Sequence, residues 1–211
     1  MSQSTNQSGK KISLKYYLQK HKTIPEKSFT HTALGEPPKS YPGSYCIEDD
    51  DLESFFETYT NTVFKHDIPA HLTERHRDVS PILIDLDFRH KPDLSGSSTP
   101  RKYTKQFIID FIQQYLNIVD ELIDVEDEKK VAFVLEKDTP VVPQGKNIVK
   151  DGIHVIFPYI VTTPKLQYIW RYKSIINEKI NELVDTLNVT NSIDDIFDIA
   201  VIEKNNWQIM K

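Results

Sequence analysis

Residues 81–88 carry a two-residue period that is clearest from Ile84 to Phe88. Ile82, Ile84, Leu86 and Phe88 fall on one side of an extended chain, and Leu83, Asp85 and Asp87 on the other. Period two sustained over that length predicts a strand with one buried face. Beyond a Ser-, Gly- and Pro-rich loop the period changes. Phe107, Ile108, Phe111, Ile112, Tyr115, Leu116, Val119 and Leu122 recur at helical spacing, predicting a helix over about residues 104–124. Strands are predicted over 131–136 and 153–159. Thr163 and Pro164 then supply an N-cap and a first-turn proline for a long helix to about residue 187. The short apolar run 199–202 reads as a last strand. Upstream, an acid-led helix is predicted over about 51–64, with Leu52, Phe55, Phe56, Tyr59 and Val63 as its stripe. Pro25, Pro37, Pro38, Pro42 and Gly43 punctuate residues 12–50 with turns, leaving room for a short strand at 44–47.

From residue 81 the predicted order is β-α-β-β-α-β, the split βαβ pattern of ferredoxin-like and RNA-recognition-motif (RRM) sheets. Right-handed, unthreaded connections give the spatial order 4-1-3-2, with both helices on one face and the other face open. The expected fold class is α+β. Its parts are a disordered polar tail (1–11), an N-terminal α/β elaboration (12–80) and an RRM-like core (81–211) truncated at its C-terminal end.

Composition narrows the function classes. The chain has 211 residues and a net charge of −5. A protein that grips nucleic acid by broad phosphate neutralisation is usually basic, so a plain DNA-coating module is disfavoured and an enzyme stays open. The single cysteine, Cys46, excludes a disulfide framework and any Cys-based zinc knuckle. No apolar run approaches the ~18 residues of a membrane span, and the polar start is unlike a secretory signal. The expected setting is soluble and intracellular.

Candidate chemistry gathers on the open face. Asp85 and Asp87 sit two apart on the central predicted strand, ~6.6 Å along the backbone. Like charges at that spacing repel unless a cation lies near, and hard carboxylate oxygens select Mg²⁺ or Mn²⁺ over zinc. A solvated or arginine-paired edge is the plainer account of an Asp-x-Asp pair. His154 opens the neighbouring strand after Lys150, Asp151 and Gly152, where imidazole and ammonium could grip phosphate and Gly152 allows close approach. Asp198 opens the last predicted strand on the other side and offers a third carboxylate. Asp194 and Asp195 read more simply as loop or cap acids. Three carboxylates, Asp85, Asp87 and Asp198, are the makings of a two-metal phosphoryl-transfer site.

At these residues the sequence resembles the catalytic domain of the archaeo-eukaryotic primase superfamily, closest in kind to primase domains fused to helicases in nucleocytoplasmic large DNA viruses. ILIDLDF matches the family's first motif, KDGIHVIFP the second and DIAVIEKNNW the third. FTHTALG, GSYCI and LTERHRDVSPILIDLDF look like the region before the first motif in viral members, so the likeness runs from about residue 28 to the end. The resemblance implies a primase or primase-polymerase that builds primers on single-stranded DNA from nucleoside triphosphates. In that reading Asp85, Asp87 and Asp198 hold two Mg²⁺ or Mn²⁺ ions. His154 and Lys150, with Gly152 and Asn205, bind the nucleotide, and a helicase domain or subunit is the partner. A viral member would work in host cytoplasm or a replication factory. Gly152 departs from the serine many members carry, and Asn206, Trp207 and Gln208 stand where related proteins place triphosphate-binding arginines. Two rivals share the residues. One is a catalytically inactive or fragmentary primase-fold nucleic-acid-binding module that needs its helicase portion. The other is an Asp-x-Asp metal nuclease, which would have no use for the histidine–lysine pair.

Overall fold

The computed structural model describes residues 13–24, 28–33, 41–75, 78–92, 99–203 and 206–208. The tail 1–11 and Asn205 lie outside the described residues. The chain divides into two compact units, 1–76 with 204–211, and 77–203. The fold class is α+β, with two antiparallel sheets. Among the described residues no helix is long and apolar enough to cross a membrane.

In the first unit, α1 (Leu14–Lys20) starts where the Ser13 hydroxyl accepts from the Tyr16 N–H. The strands β1 (Lys22–Thr23), β2 (His31–Ala33) and β3 (Gly43–Tyr45) follow, then α2 (Leu52–Thr60), which runs on as a π-helical turn, and β4 (Leu72–Arg75). With the late strand β8 (Asn206–Gln208) they form a sheet of order β1-β3-β2-β4-β8. Leu14, Leu18, Ile47, Phe55 and Leu72 centre its core.

The second unit carries the predicted site. Its strands are β5 (Ser80–His90), β6 (Phe133–Glu136) and β7 (Val149–Thr162). The helices are α3 (Lys105–Asp120), α4 (Pro164–Ile175), α5 (Glu178–Asp185) and two four-residue turns, α6 (Ile193–Ile196) and α7 (Ala200–Glu203). The sheet order β5-β7-β6 is the expected 1-3-2 arrangement. Ile82, Ile84, Leu86 and Phe88 are buried with Ile153, Val155 and Phe157 of β7, Phe107, Phe111 and Tyr115 of α3, and Trp170 of α4. Each such fully buried side chain contributes about 1.5–3 kcal/mol relative to exposure. The alternation therefore holds: one face of β5 is core, and Asp85 and Asp87 lie on the other.

Two expectations change. The long helix splits at Asn177, whose side chain accepts from the Ile180 N–H and so restarts the chain as α5. The fourth strand shrinks to one antiparallel bridge, Leu86 with Phe197, and residues 200–203 turn helical. Asp198 directs this change. Its N–H donates to the Asp85 carbonyl (2.9 Å), and its Oδ1 accepts from the Ala200 N–H (2.8 Å), which winds the chain into a helical turn where a strand ladder would have run.

β5 thus lies at a sheet edge, not mid-sheet, and side chains take over the missing ladder. The Gln167 amide, 1% exposed, donates to the Pro81 carbonyl (3.1 Å) and lies 3.5 Å from the Leu83 N–H that it accepts. At the other end Asn191 donates to the Asp87 carbonyl (2.8 Å) and accepts from the Arg89 N–H (2.9 Å). Buried backbone polar groups must find partners, and here two amides supply what a strand would have.

Candidate active site

The register of β5, β7 and β6 arranges the uncovered face in rows. Leu83, Ile156 and Phe133 form one row, and Asp85, His154 and Leu135 the next. Asp87 lies opposite Gly152, and Arg89 opposite Lys150. The face therefore passes from apolar, through acidic and imidazole, to basic along the strands.

Asp85 and His154 are direct cross-strand partners, with Nε2 3.2 Å from Oδ1; the side chains are 17% and 15% exposed. Oδ1 of Asp85 is buried and, despite that approach, takes part in no well-aligned hydrogen bond. Burial and the Asp85 charge push the Asp87 carboxyl above its ordinary range; Asp198 adds to the rise, and Lys137 and Lys150 oppose it. These opposing influences place Asp85, Asp87, Asp198, Lys137 and Lys150 within one electrostatic neighbourhood.

Gly152 is required by space. A Cβ there would stand 2.7 Å from the Leu86 carbonyl oxygen and 3.3 Å from Asp87 Oδ1. Any side chain at this position lacks room, because the β5 backbone passes too close. Lys137, which opposes the rise of the Asp87 carboxyl, directly follows Glu136, the residue paired with Ile153.

The Gly152 segment is fixed from the covered face. Asp151, 1% exposed, accepts from Arg101 Nε (3.0 Å) and from the Gly152 N–H (2.9 Å). Arg101 also reaches Glu136 (2.9 Å) and the Lys137 carbonyl. One guanidinium so ties β7 to the end of β6, holding Lys150, Gly152 and Lys137 in place. Tyr103 donates to the Gly152 carbonyl (3.2 Å).

Asp198 comes up against β5 through its backbone bond to Asp85, with one carboxylate oxygen engaged by Ala200. Arg171 steadies this stretch, donating to the Phe197 carbonyl (2.9 Å) and to Asp194 (2.8 and 3.1 Å). Asp194 and Asp195 are thereby accounted for as structural acids, the latter bonded to Ser192. A small pocket along the β5 edge is lined by Leu83, Asp85, Gln167, Arg171, Asp198 and Val201, among others.

The residues fit a divalent cation in part. A buried carboxylate oxygen without a hydrogen bond, beside a second carboxyl held high by burial and charge, is a hard-oxygen environment that gains from a cation. Among the described residues, no three His, Cys, Asp or Glu side chains converge as a ready-made cluster. The preassembled element is the Asp85–Asp87 pair, and Asp198 is its neighbour.

Sequence reasoning brought Asp85, Asp87, Gly152, His154, Lys150 and Asp198 together, as the structure does. It missed Arg89, Lys137, Arg101, Arg171, Gln167 and Asn191. Arg89 was within reach, since it continues the 83-85-87 alternation by one more step. Gln167 and Asn191 carry no local signal, because their partners are 84 and about a hundred residues away.

The family described as "C962R protein N-terminal AEP domain", of archaeo-eukaryotic primase type, matches residues 30–210, and the chain belongs to it. The chain is also 35% identical over 178 residues, 84% of its length, to "Putative helicase L207/L206" of Acanthamoeba polyphaga mimivirus. It spans 17% of that relative.

Proposed function

We propose that this chain is the catalytic domain of a DNA primase or primase-polymerase, which extends a chain on a single-stranded DNA template from nucleoside triphosphates and serves viral DNA replication. The observation that carries this reading is the pair Asp85 and Asp87 side by side on the uncovered face, with His154 directly opposite Asp85.

Asp85 and Asp87, with Asp198, would hold Mg²⁺ or Mn²⁺, which supplies Lewis-acid stabilisation of the reacting phosphoryl group and of the leaving pyrophosphate. His154 donates Nε2–H to a nucleotide phosphate, and its cross-strand place beside Asp85 sets the ring's direction. Lys150 adds a mobile positive charge one row further on. Gly152 lets the polyphosphate lie close to the strand where a side chain would stand in its way. Asn205, within the third motif, is assigned to nucleotide binding on the strength of the resemblance alone. Because the chain spans a sixth of its helicase-named relative, a helicase portion of the same polypeptide or complex is the proposed partner.

The test is primer synthesis on single-stranded DNA with Mn²⁺ and labelled nucleotides, comparing this chain with a longer one and with Asp85→Ala. Products from the wild type and none from the variant support the reading. Products only from the longer chain would favour a fragment dependent on its helicase portion. Shortening of the template in place of synthesis would favour the nuclease.

A further inference from the structure

We infer that Arg89 is a phosphate-binding residue for the terminal phosphates of a nucleoside triphosphate, which lies lengthwise along β5 and β7 with its base toward Phe133; this rests on the nucleotide-binding reading above. Four arginines are described. Arg75 lies over the Phe29 ring at 4.7 Å, Arg101 is held by Asp151 and Glu136, and Arg171 is held by Asp194 and Phe197. Arg89 is different. Its Nε is buried without a hydrogen-bond partner, and among the described residues its guanidinium makes no ion pair. A buried charged donor left unpaired is costly, and an anionic ligand removes that cost.

The position of Arg89 says which part of the ligand it meets. It shares the uncovered face with Asp85 and Asp87 and is the cross-strand partner of Lys150. Arg89 and Lys150 form the basic end of the face, and Lys137, just beyond the end of β6, acts on Asp87. Six residues away on β5, ~20 Å by strand rise, the face ends in Leu83, Ile156 and Phe133. Phe133 is 56% exposed, a large aromatic surface beside the His154 row. A ligand matching this gradient is anionic at one end and flat and apolar at the other. A nucleoside triphosphate has that shape, its reacting phosphate falling over the Asp85–His154 and Asp87–Gly152 rows.

Calorimetric titration of the full 211-residue chain at fixed free Mn²⁺ tests this with three probes: ATP, AMP and inorganic tripolyphosphate. Arg89→Gln should weaken ATP and tripolyphosphate by about tenfold, the loss of one charge-assisted contact, and leave AMP within about twofold. Arg89→Lys should recover part of the loss. Phe133→Ala should weaken ATP and AMP by about five- to tenfold, as loss of a stacking partner does, and leave tripolyphosphate unchanged. Arg89→Gln affecting all three probes equally, or none, would overturn the assignment while wild-type ATP binding upheld the nucleotide site. A wild-type chain that binds none of the three would overturn both.

Discussion

Nε2 of His154 stands 3.2 Å from Oδ1 of Asp85, the residue directly across the strand pair from it. The contact fixes which ring nitrogen faces the acidic pair, and so where a phosphate must come to accept from it. His154→Ala should therefore weaken nucleoside triphosphate binding about tenfold and template binding far less, as paired affinity titrations would reveal. The reverse ranking would count against the phosphate role.

The two aspartates should be indispensable to any nucleotide incorporation. Asp85→Ala or Asp87→Ala should lower Mn²⁺-dependent extension by about 100-fold or more, since several kcal/mol of charge stabilisation goes with the ligand. Both side chains leave the core undisturbed, so circular dichroism should be unchanged. Full extension activity in either variant would discard the carboxylate assignment.

Asp87 also gives a pH signature. Burial and its neighbours raise its folded-state carboxyl above the ordinary value, so the folded protein binds that proton more tightly than the unfolded chain. Stability from this group is full below the ordinary carboxylate range and is lost as pH rises through the raised value. In metal-free buffer Asp87→Asn should thus raise the melting temperature at neutral pH. The gain should vanish as the medium is acidified past the ordinary carboxylate range. Thermal scans across pH 3–8 with a chelator would check it, and equal gains at both ends would contradict it.

Gly152 has no space for even one methyl group. Gly152→Ala forces a Cβ onto the Leu86 carbonyl, a backbone atom that cannot swing aside. Overpacking of this kind costs about 1–3 kcal/mol, visible as a lower urea midpoint at unchanged slope. A variant as stable as the parent would mean the two strands part more readily than their register implies.

The amides along β5 predict a link between the edge and Asp85. Asn191→Ala strips the Asp87 carbonyl and the Arg89 N–H of their partner and should cost about 1–3 kcal/mol. It should also weaken Mn²⁺ binding, read by titration under native conditions, because the backbone carrying Asp87 is no longer pinned. Lost stability with unaltered Mn²⁺ affinity would reduce Asn191 to a purely structural part.

The β5 face was legible because Ile84, Leu86 and Phe88 alternate with Asp85 and Asp87, and a two-residue period has one reading. The neighbour relation of β5 and β7 followed from connection rules alone. The exact pairing of Asp85 with His154 did not, since it depends on the register shift between Pro81 and Ile82. The run 199–202 misled because four apolar residues suit a strand or a helical turn equally, and Asp198 decides between them through its bond to Ala200. Asn177 splits the long helix with a cap bond that apolar spacing does not encode. Lys137 was invisible for another reason: it lies beyond the end of β6 and acts on Asp87 from a distant part of the chain, which a hydrophobic pattern does not encode.

A bare ribbon margin invites recruitment: a second molecule can lay its own backbone alongside and propagate an aggregate. Gln167 and Asn191 already occupy that margin on β5 from within the same polypeptide. The strand bearing the acidic pair can stay open to ligands on its broad side while its rim is closed to self-association.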